Sequence, residues 1–337
     1  MQNIRLMDTP EDTIAGSALY LRIMFMGMVP NMVYNVGSAI LRAMGDSKRP
    51  LYFLIVACLS NVVLDLVFVL VFKMGIAGVA IASILAQAIS AVMVVMSLSA
   101  ESMEYRFRFR QMRFEGDILS RTIRIGLPAG FQSIMYSLSN MLIQASVNRF
   151  GTDTVASWVV LGKVDGINWM ILGALGIASM TFVGQNYGAG RLDRIQKSLK
   201  LSLLIGLCIS IVFGGALLLF GWPLFGLFTS DDTVLAMSMQ LLWYFAPFYW
   251  LFVPIEVISG ALRGMGDTLI PTIITATGIC VFRVAWIYTV VPLHNSMFTV
   301  SLSYPISWVL TAIAFAIYYM IARKKLIANA PKPRTAE

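Results

Sequence analysis

Five ionisable side chains lie within long apolar stretches of the sequence: Asp65, Lys163, Asp165, Glu256 and Arg283. A charge inside a bilayer costs about 2.5 kcal/mol or more on insertion scales unless it is paired or used. These residues are therefore the first candidates for a binding or proton-transfer site. The last four form either a structural network of neutralising pairs, with Glu256 and Arg283 at a similar depth, or a proton-coupled substrate site in which an acid changes protonation.

Asp65 has neighbours that carry neutral oxygens. Asn61 lies four residues earlier, so both side chains project from one face of a helix. The next helix supplies Ser83, and the first helix supplies Tyr20 and Asn35. Such oxygen ligands suit a hard monovalent cation, and the carboxylate can instead hold a proton. The alternative is a buried aspartate that is satisfied by the neighbouring asparagine.

A polar stripe follows Pro128, which is expected to kink its helix. Its members recur every four residues and so share one side of the helix: Gln132, Tyr136, Asn140 and Gln144. Because lipid does not satisfy polar side chains, the stripe predicts a cavity. The 21 methionines and 12 tyrosines suit an adaptable aromatic pocket for flat organic cations, although most are expected to be core or lipid-facing residues.

The elements that position these residues are membrane helices. Of the 337 residues, 58% are hydrophobic and only 12% are charged, and the mean hydropathy is +0.79, which indicates a polytopic membrane protein. Spanning strands would alternate in polarity, so an all-α fold is predicted. Nine transmembrane helices are expected, at 14–44, 50–73, 75–99, 118–149, 152–187, 195–224, 233–265, 270–292 and 297–322.

The distribution of charge predicts orientation. Most of the 25 Lys and Arg residues fall in alternate loops and in the tail, which places the loop 100–117 and the C-terminus in the cytoplasm and the chain in a cytoplasmic membrane. The basic segment EYRFRFRQMRF is expected to contact anionic membrane lipid, and no soluble basic domain is present for nucleic acid. The three cysteines and the one histidine are too scattered for a metal site or a Cys–His pair, so neither enzymatic activity nor a cofactor is expected.

One helix ending is written twice: LRAMGDSKRP at 41–50 and LRGMGDTLIP at 262–271, 221 residues later. An even number of crossings separates the copies, which predicts a parallel pseudo-twofold repeat about an axis along the membrane normal. In each copy, glycine is expected to permit the turn, Arg42 or Arg263 to bind the last helix carbonyls, and Asp46 or Asp267 to cap the next helix. A direct gating role for the Arg and Asp is the alternative.

The repeat predicts the domain organisation. Residues 1–99 form a partial first lobe of three helices, 100–117 the loop between lobes, 118–323 a complete second lobe of six helices, and 324–337 a cytoplasmic tail. Because the helices at 118–149, 152–187 and 195–224 have no counterparts in the first lobe, about a hundred residues and three helices are expected to precede this sequence.

Several stretches together resemble the MATE family, the multidrug and toxic compound extrusion transporters: TPEDTIAGSALYLRI, ILRAMGDSKRPLY, SNVVLDLVFV, GLPAGFQSIMYSLSNMLIQASVNRFGTDTVA, FVGQNYGAGRLDRI and ALRGMGDTLIPTI. The resemblance implies twelve helices in two six-helix lobes, of which the first three are absent here. It also implies an antiporter, coupled to Na⁺ or H⁺, that exports small organic and chiefly cationic compounds, with no cofactor beyond the coupling ion. A monomer is expected.

The resemblance also assigns sites. The cation site of archaeal-type members carries over onto Asn35, Asn61, Asp65 and Ser83, with Tyr20 nearby. Some branches carry an acid eight positions after the proline, where this chain has Tyr136, so Asp165 and Glu256 become the candidates in the second lobe. The alternatives are a flippase of lipid-linked precursors, which would have a cation-lined groove, and a fragment that does not transport.

Overall fold

The computed structural model describes residues 11–100 and 107–328, in which all regular structure is helical. The chain divides into two compact units, Met1–Phe114 and Glu115–Glu337, and this boundary falls inside the predicted loop 100–117. The first ten residues of the predicted first lobe, residues 101–106 of the loop, and the predicted tail from residue 329 onward lie outside the described residues.

The N-terminal unit has four helices: α1 Glu11–Met26, α2 Met28–Ala43, α3 Lys48–Leu66, and α4 Gly75–Ser99, with a π-helical segment Val67–Val71 after α3. The other three helices all pack on α4. The prediction of one continuous helix over 14–44 was wrong, because the chain bends by 43° between α1 and α2. Pro30 explains the break, since it cannot donate to the Met26 carbonyl and its ring clashes with that group.

The C-terminal unit contains eight further helices: α5 Gly116–Val147, α6 Thr152–Gly188, α7 Leu192–Phe225, α8 Asp232–Phe245, α9 Val253–Gly264, α10 Leu269–Thr275, α11 Phe282–Thr289 and α12 Met297–Ala328. The predicted helix 233–265 is interrupted by a 3₁₀ segment, Ala246–Phe252. Pro247 lies in this segment and Pro254 in the first turn of α9, and both lack a backbone donor. The predicted helix 270–292 ends at Thr289 and contains a π-helical segment, Ala276–Val281, between α10 and α11.

Seven segments of the described chain are long and apolar enough to cross a membrane, and the bent pair α1–α2 makes an eighth. They confirm a helical integral membrane protein. The ninth predicted span corresponds to α5, whose Arg121, Arg124, Asn140 and Gln144 lower its hydropathy. A count of nine transmembrane helices therefore stays a prediction.

Helices α6 and α9 approach each other through glycines. A Cβ atom at Gly260 would lie 2.4 Å from the carbonyl oxygen of Gly176, and one at Gly264 would lie 2.4 Å from that of Met180. The hydroxyl of Ser179 donates to the Val257 carbonyl at 3.0 Å across the same contact. Small residues of this kind allow two backbones to touch. This contact fixes α9, and with it Glu256, against α6.

The two copies of the repeated ending have the same backbone. Gly45 and Gly266 adopt positive φ values of 91° and 89°, which favour glycine. In the first copy Gly45 N donates to Arg42 O and Asp46 N to Leu41 O, and the second copy has the equivalent pair of bonds from Gly266 and Asp267. Both are Schellman endings. The predicted glycine turn is confirmed at both places.

Candidate functional site

The C-terminal unit contains a cavity with a volume of about 530 Å³. Six of the eight predicted substrate or coupling residues line it: Tyr136, Asn140, Gln144, Asp165, Glu256 and Arg283. They come from α5, α6, α9 and α11. Aromatic rings complete the wall, so charged and amide groups face a largely aromatic space.

The two carboxylates have different surroundings. Trp169 Nε1 donates to Asp165 Oδ2 at 2.8 Å, and the buried hydroxyl of Tyr249 lies beside the same carboxylate. Glu256 Oε2 lies over the α6 backbone, where a Cβ atom on Gly176 would come within 2.5 Å of it. Gly176 therefore leaves the room that the Glu256 carboxylate occupies.

Arg283 is buried, with 4% of its surface exposed. Its Nε donates to Ser307 Oγ at 3.0 Å, and the guanidinium carbon lies 3.9 Å from the centre of the Tyr304 ring. Both contacts come from α12. Of the two alternatives for these four residues, the structure does not show the neutralising pairs: among the described residues, none of Lys163, Asp165, Glu256 and Arg283 is ion-paired. Ser307 and Tyr304 hold the guanidinium on α12 instead.

Lys163 does not belong to the cavity. It is exposed, and it is not among the residues that line the space around Asp165. Two residues along a helix correspond to about 200° of rotation, so Lys163 and Asp165 face opposite ways. The alternative of a four-residue network therefore does not hold for Lys163 either, since this residue lies away from the other three.

Gln132 and the second repeat copy have partners that the sequence did not reveal. Arg263 Nη2 donates to Gln132 Oε1 at 2.6 Å, which ties the end of α9 to α5. Asp267 accepts a hydrogen bond from the Tyr318 hydroxyl on α12. The expectation that Arg263 binds the last helix carbonyls and that Asp267 caps the next helix was therefore wrong, because long side chains from α5 and α12 are within reach.

The N-terminal unit contains a second cavity of about 490 Å³, with neutral polar walls. Three predicted cation ligands, Asn35, Asn61 and Ser83, line it together, whereas Tyr20 and Asp65 do not. Asn61 Nδ2 and Asp65 Oδ1 are buried and have no hydrogen-bond partner among the described residues. The described part of the chain thus contains no Asn61–Asp65 hydrogen bond that would satisfy this pair.

Reasoning from sequence missed several wall residues. In the N-terminal unit these are Asn31, Tyr34, Gln87 and Ser90, and in the C-terminal unit Trp158, Trp169, Phe245, Phe252 and Tyr304. Spacing offered a signal for some of them. Asn31 lies four residues before Asn35, and its side-chain oxygen accepts a hydrogen bond from Asn35 Nδ2 at 2.6 Å. Trp169 lies four residues after Asp165, on the same helix face.

The chain resembles one known family and several of its curated relatives. The family model MatE matches residues 2–67 and 128–289. The chain is 29% identical to the probable multidrug resistance protein YoeA of Bacillus subtilis, over 96% of this chain and 71% of the relative. It is 21% identical to the multidrug export protein MepA of Staphylococcus aureus, over 68% of this chain and 51% of the relative.

Two solved structures support the fold. An outward-facing multidrug resistance MATE family transporter of the MOP superfamily superposes with a TM-score of 0.85 at 19% identity, over 96% of this chain and 72% of the other. A MOP superfamily transporter from Pyrococcus furiosus, whose binding pocket is described as having reverse polarity, gives a TM-score of 0.89 at 19% identity over 96% and 73%. At this identity the likeness concerns the fold.

Proposed function

The chain belongs to the MatE family, and from this premise we propose that it exports small organic compounds, chiefly organic cations, in exchange for H⁺ or Na⁺. One observation carries the proposal: two carboxylates without ion pairs among the described residues, Asp165 and Glu256, face the same aromatic cavity within apolar helices. The membrane in question is the cytoplasmic membrane, with the C-terminus on the cytoplasmic side.

Exchange follows from competition for the same carboxylates. A cationic compound bound in the cavity is attracted by the carboxylates and by the faces of Trp158, Trp169 and Tyr304. An incoming proton or Na⁺ neutralises the carboxylates and weakens that attraction. Because each ligand lowers the affinity for the other, the two are carried in opposite directions.

The N-terminal unit supplies a second coupling position. Asn61 and Ser83 present oxygens to a cavity, and Asp65 lies one turn from Asn61 with a buried Oδ1 that has no partner among the described residues. Amide, hydroxyl and carboxylate oxygens are ligands for a hard cation, and the carboxylate alone can hold a proton. This position binds the coupling ion and needs no contact with the organic substrate.

Transport in sealed vesicles tests the proposal. The protein is reconstituted, a pH gradient or a Na⁺ gradient is imposed separately, and movement of ethidium is followed by fluorescence. We expect one of the two gradients to drive ethidium movement. The double variant Asp165→Asn, Glu256→Gln should reduce that movement at least tenfold, because it removes both exchangeable charges at nearly unchanged side-chain volume.

Asp153→Asn is the matched control, since Asp153 is an exposed acid at the start of α6 and lies outside the cavity. It should retain the parental rate. If neither gradient moves ethidium, or if the double variant transports at the parental rate with equal protein amounts, the proposal fails. Movement of fluorescent lipid without movement of ethidium would instead favour a flippase.

A further inference from the structure

We propose that Arg283 is a docking point for an acidic group of the transported compound, so that the preferred substrates are aromatic amines that also carry a carboxylate. This inference rests on the proposed function and specifies its substrate. It starts from an observation that the export of cations does not use: a buried guanidinium faces the cavity without an anionic partner among the described residues.

The donors of Arg283 are only partly satisfied. A guanidinium has five N–H donors and no acceptor. Nε donates a hydrogen bond to Ser307 Oγ, and the flat face of the guanidinium lies on the Tyr304 ring. Nη2 is buried and has no hydrogen-bond partner among the described residues. A buried charged donor without an acceptor is costly, more so than a neutral one, so the site favours a ligand that brings an acceptor.

The acids of the cavity do not supply that acceptor. Asp165 accepts from Trp169 and has Tyr249 beside it, and Glu256 lies against Gly176 on the α6 backbone. Neither is ion-paired with Arg283. The positive and negative groups of the cavity are therefore held by different helices: the guanidinium by α11 and α12, and the two acids by α6 and α9.

A molecule with two opposite charges complements this arrangement. Its ammonium group is attracted to Asp165 and Glu256, and its carboxylate matches the planar guanidinium, which binds carboxylates through parallel N–H bonds. The amides of Asn140 and Gln144 line the same space and offer neutral hydrogen bonds. The aromatic wall accommodates the ring between the charges, and a cavity of about 530 Å³ is of the size that holds a drug-sized ligand.

Binding of a matched pair of probes tests the inference without any ion gradient. The probes are 6-(aminomethyl)-2-naphthoate and 6-(aminomethyl)-2-naphthamide, which share the ring and the amine and differ in the acidic group. Affinities are measured by titration calorimetry on the purified full chain. We expect the naphthoate to bind at least tenfold more tightly than the amide, and Arg283→Gln to reduce this ratio to less than twofold while the amide still binds.

Lys163→Gln is the matched control, because it removes one positive charge from an exposed position two residues from Asp165. It should keep the tenfold preference. If Arg283→Gln does not bind the amide, Arg283→Met decides, because it also removes the charge and keeps a long side chain: a reduced preference supports the inference and an unchanged one overturns it. Equal binding of both probes to the parent chain also overturns it. Export driven by a gradient but without acid preference defeats only this inference, whereas acid preference without export defeats only the proposed function.

Discussion

The turns at residues 41–46 and 262–267 have the same backbone but different side-chain partners. In the N-terminal copy Asp46 Oδ1 accepts from the backbone N–H groups of Lys48 and Arg49, each at 3.1 Å. In the C-terminal copy Asp267 binds Tyr318 of α12, and Arg263 reaches Gln132 of α5. The first aspartate stabilises its own turn, whereas the second copy joins helices that are distant in sequence.

The two cavities also differ, both in the charge of their walls and in the helix contacts beside them. The N-terminal cavity has neutral walls, and its glycine contacts are with side chains: a Cβ on Gly27 would meet Ile84 and Gln87. The C-terminal cavity has charged walls, and it rests on contacts between the backbones of α6 and α9. A shared sequence repeat therefore fixes the local turn, while the surrounding helices decide which groups each side chain meets.

The largest effect, a loss of stability, is expected where the backbones of α6 and α9 touch. Gly260→Ala places a Cβ atom 2.4 Å from the Gly176 carbonyl oxygen, so α9 must move away from α6. We expect the free energy of unfolding to fall by about 2 kcal/mol, read from the thermal midpoint of tryptophan emission. Gly27→Ala should cost less, because Ile84 and Gln87 can change rotamer. Gly173→Ala, with no atom within 4 Å of its Cβ, should not lower stability. Equal losses for Gly260→Ala and Gly27→Ala would remove this difference between the units.

An intermediate effect is expected at Asp65. Asp65→Asn keeps the size of the side chain and removes its exchangeable charge, so gradient-driven export in vesicles should fall about tenfold while folding is unchanged. Asn61→Ala should act in the same direction but more weakly, since it removes one neutral ligand. Export by Asp65→Asn at the parental rate would exclude Asp65 from coupling and leave Asp165 and Glu256 as the carboxylates that act.

The smallest effect is expected at the turns. Asp46→Ala removes an N-terminal cap and a half-exposed ion pair with Arg49, so the start of α3 should lose about 1 kcal/mol locally. Hydrogen exchange should become faster at the amides of Lys48 and Arg49. Asp267→Ala should leave the equivalent amides, Leu269 and Ile270, unchanged, because that carboxylate binds Tyr318 instead. Faster exchange at both turns would show that the two aspartates act alike.

Much of the helical fold can be predicted from the sequence, because long apolar runs and glycine turns are local signals. Their interruptions were not predicted. Pro30 and Pro247 lie inside apolar runs, where a proline either kinks a helix or ends it, and the neighbouring helices decide which occurs. The π-helical segments carry no residue pattern that distinguishes them from α-helix.

The candidate site was predictable as a set of residues but not as a set of contacts. Polar spacing on α5 correctly placed Tyr136, Asn140 and Gln144 on one face. Depth along a helix suggested that Glu256 and Arg283 could pair, but depth does not specify direction around the helix axis. Depth also failed to separate Lys163 from Asp165. Here the sequence did contain the answer, because two residues along any α-helix are rotated by about 200°.

The two interruptions occur at the same place in the repeat. Gly27 plus the offset of 221 gives residue 248, which lies within Ala246–Phe252. Each break is a joint in a cavity wall. Phe245 and Phe252 flank the joint between α8 and α9 and line the C-terminal cavity. Gly27, at the joint between α1 and α2, lies against Gln87, which lines the N-terminal cavity. Ser157 and Ser238 tie α8 to α6, and Ser179 ties α9 to α6, on either side of the joint between α8 and α9. Because α8 and α9 are each fixed to α6, the joint between them holds Phe245 and Phe252 in the cavity wall, and a change in its angle would change the width of the cavity at that point.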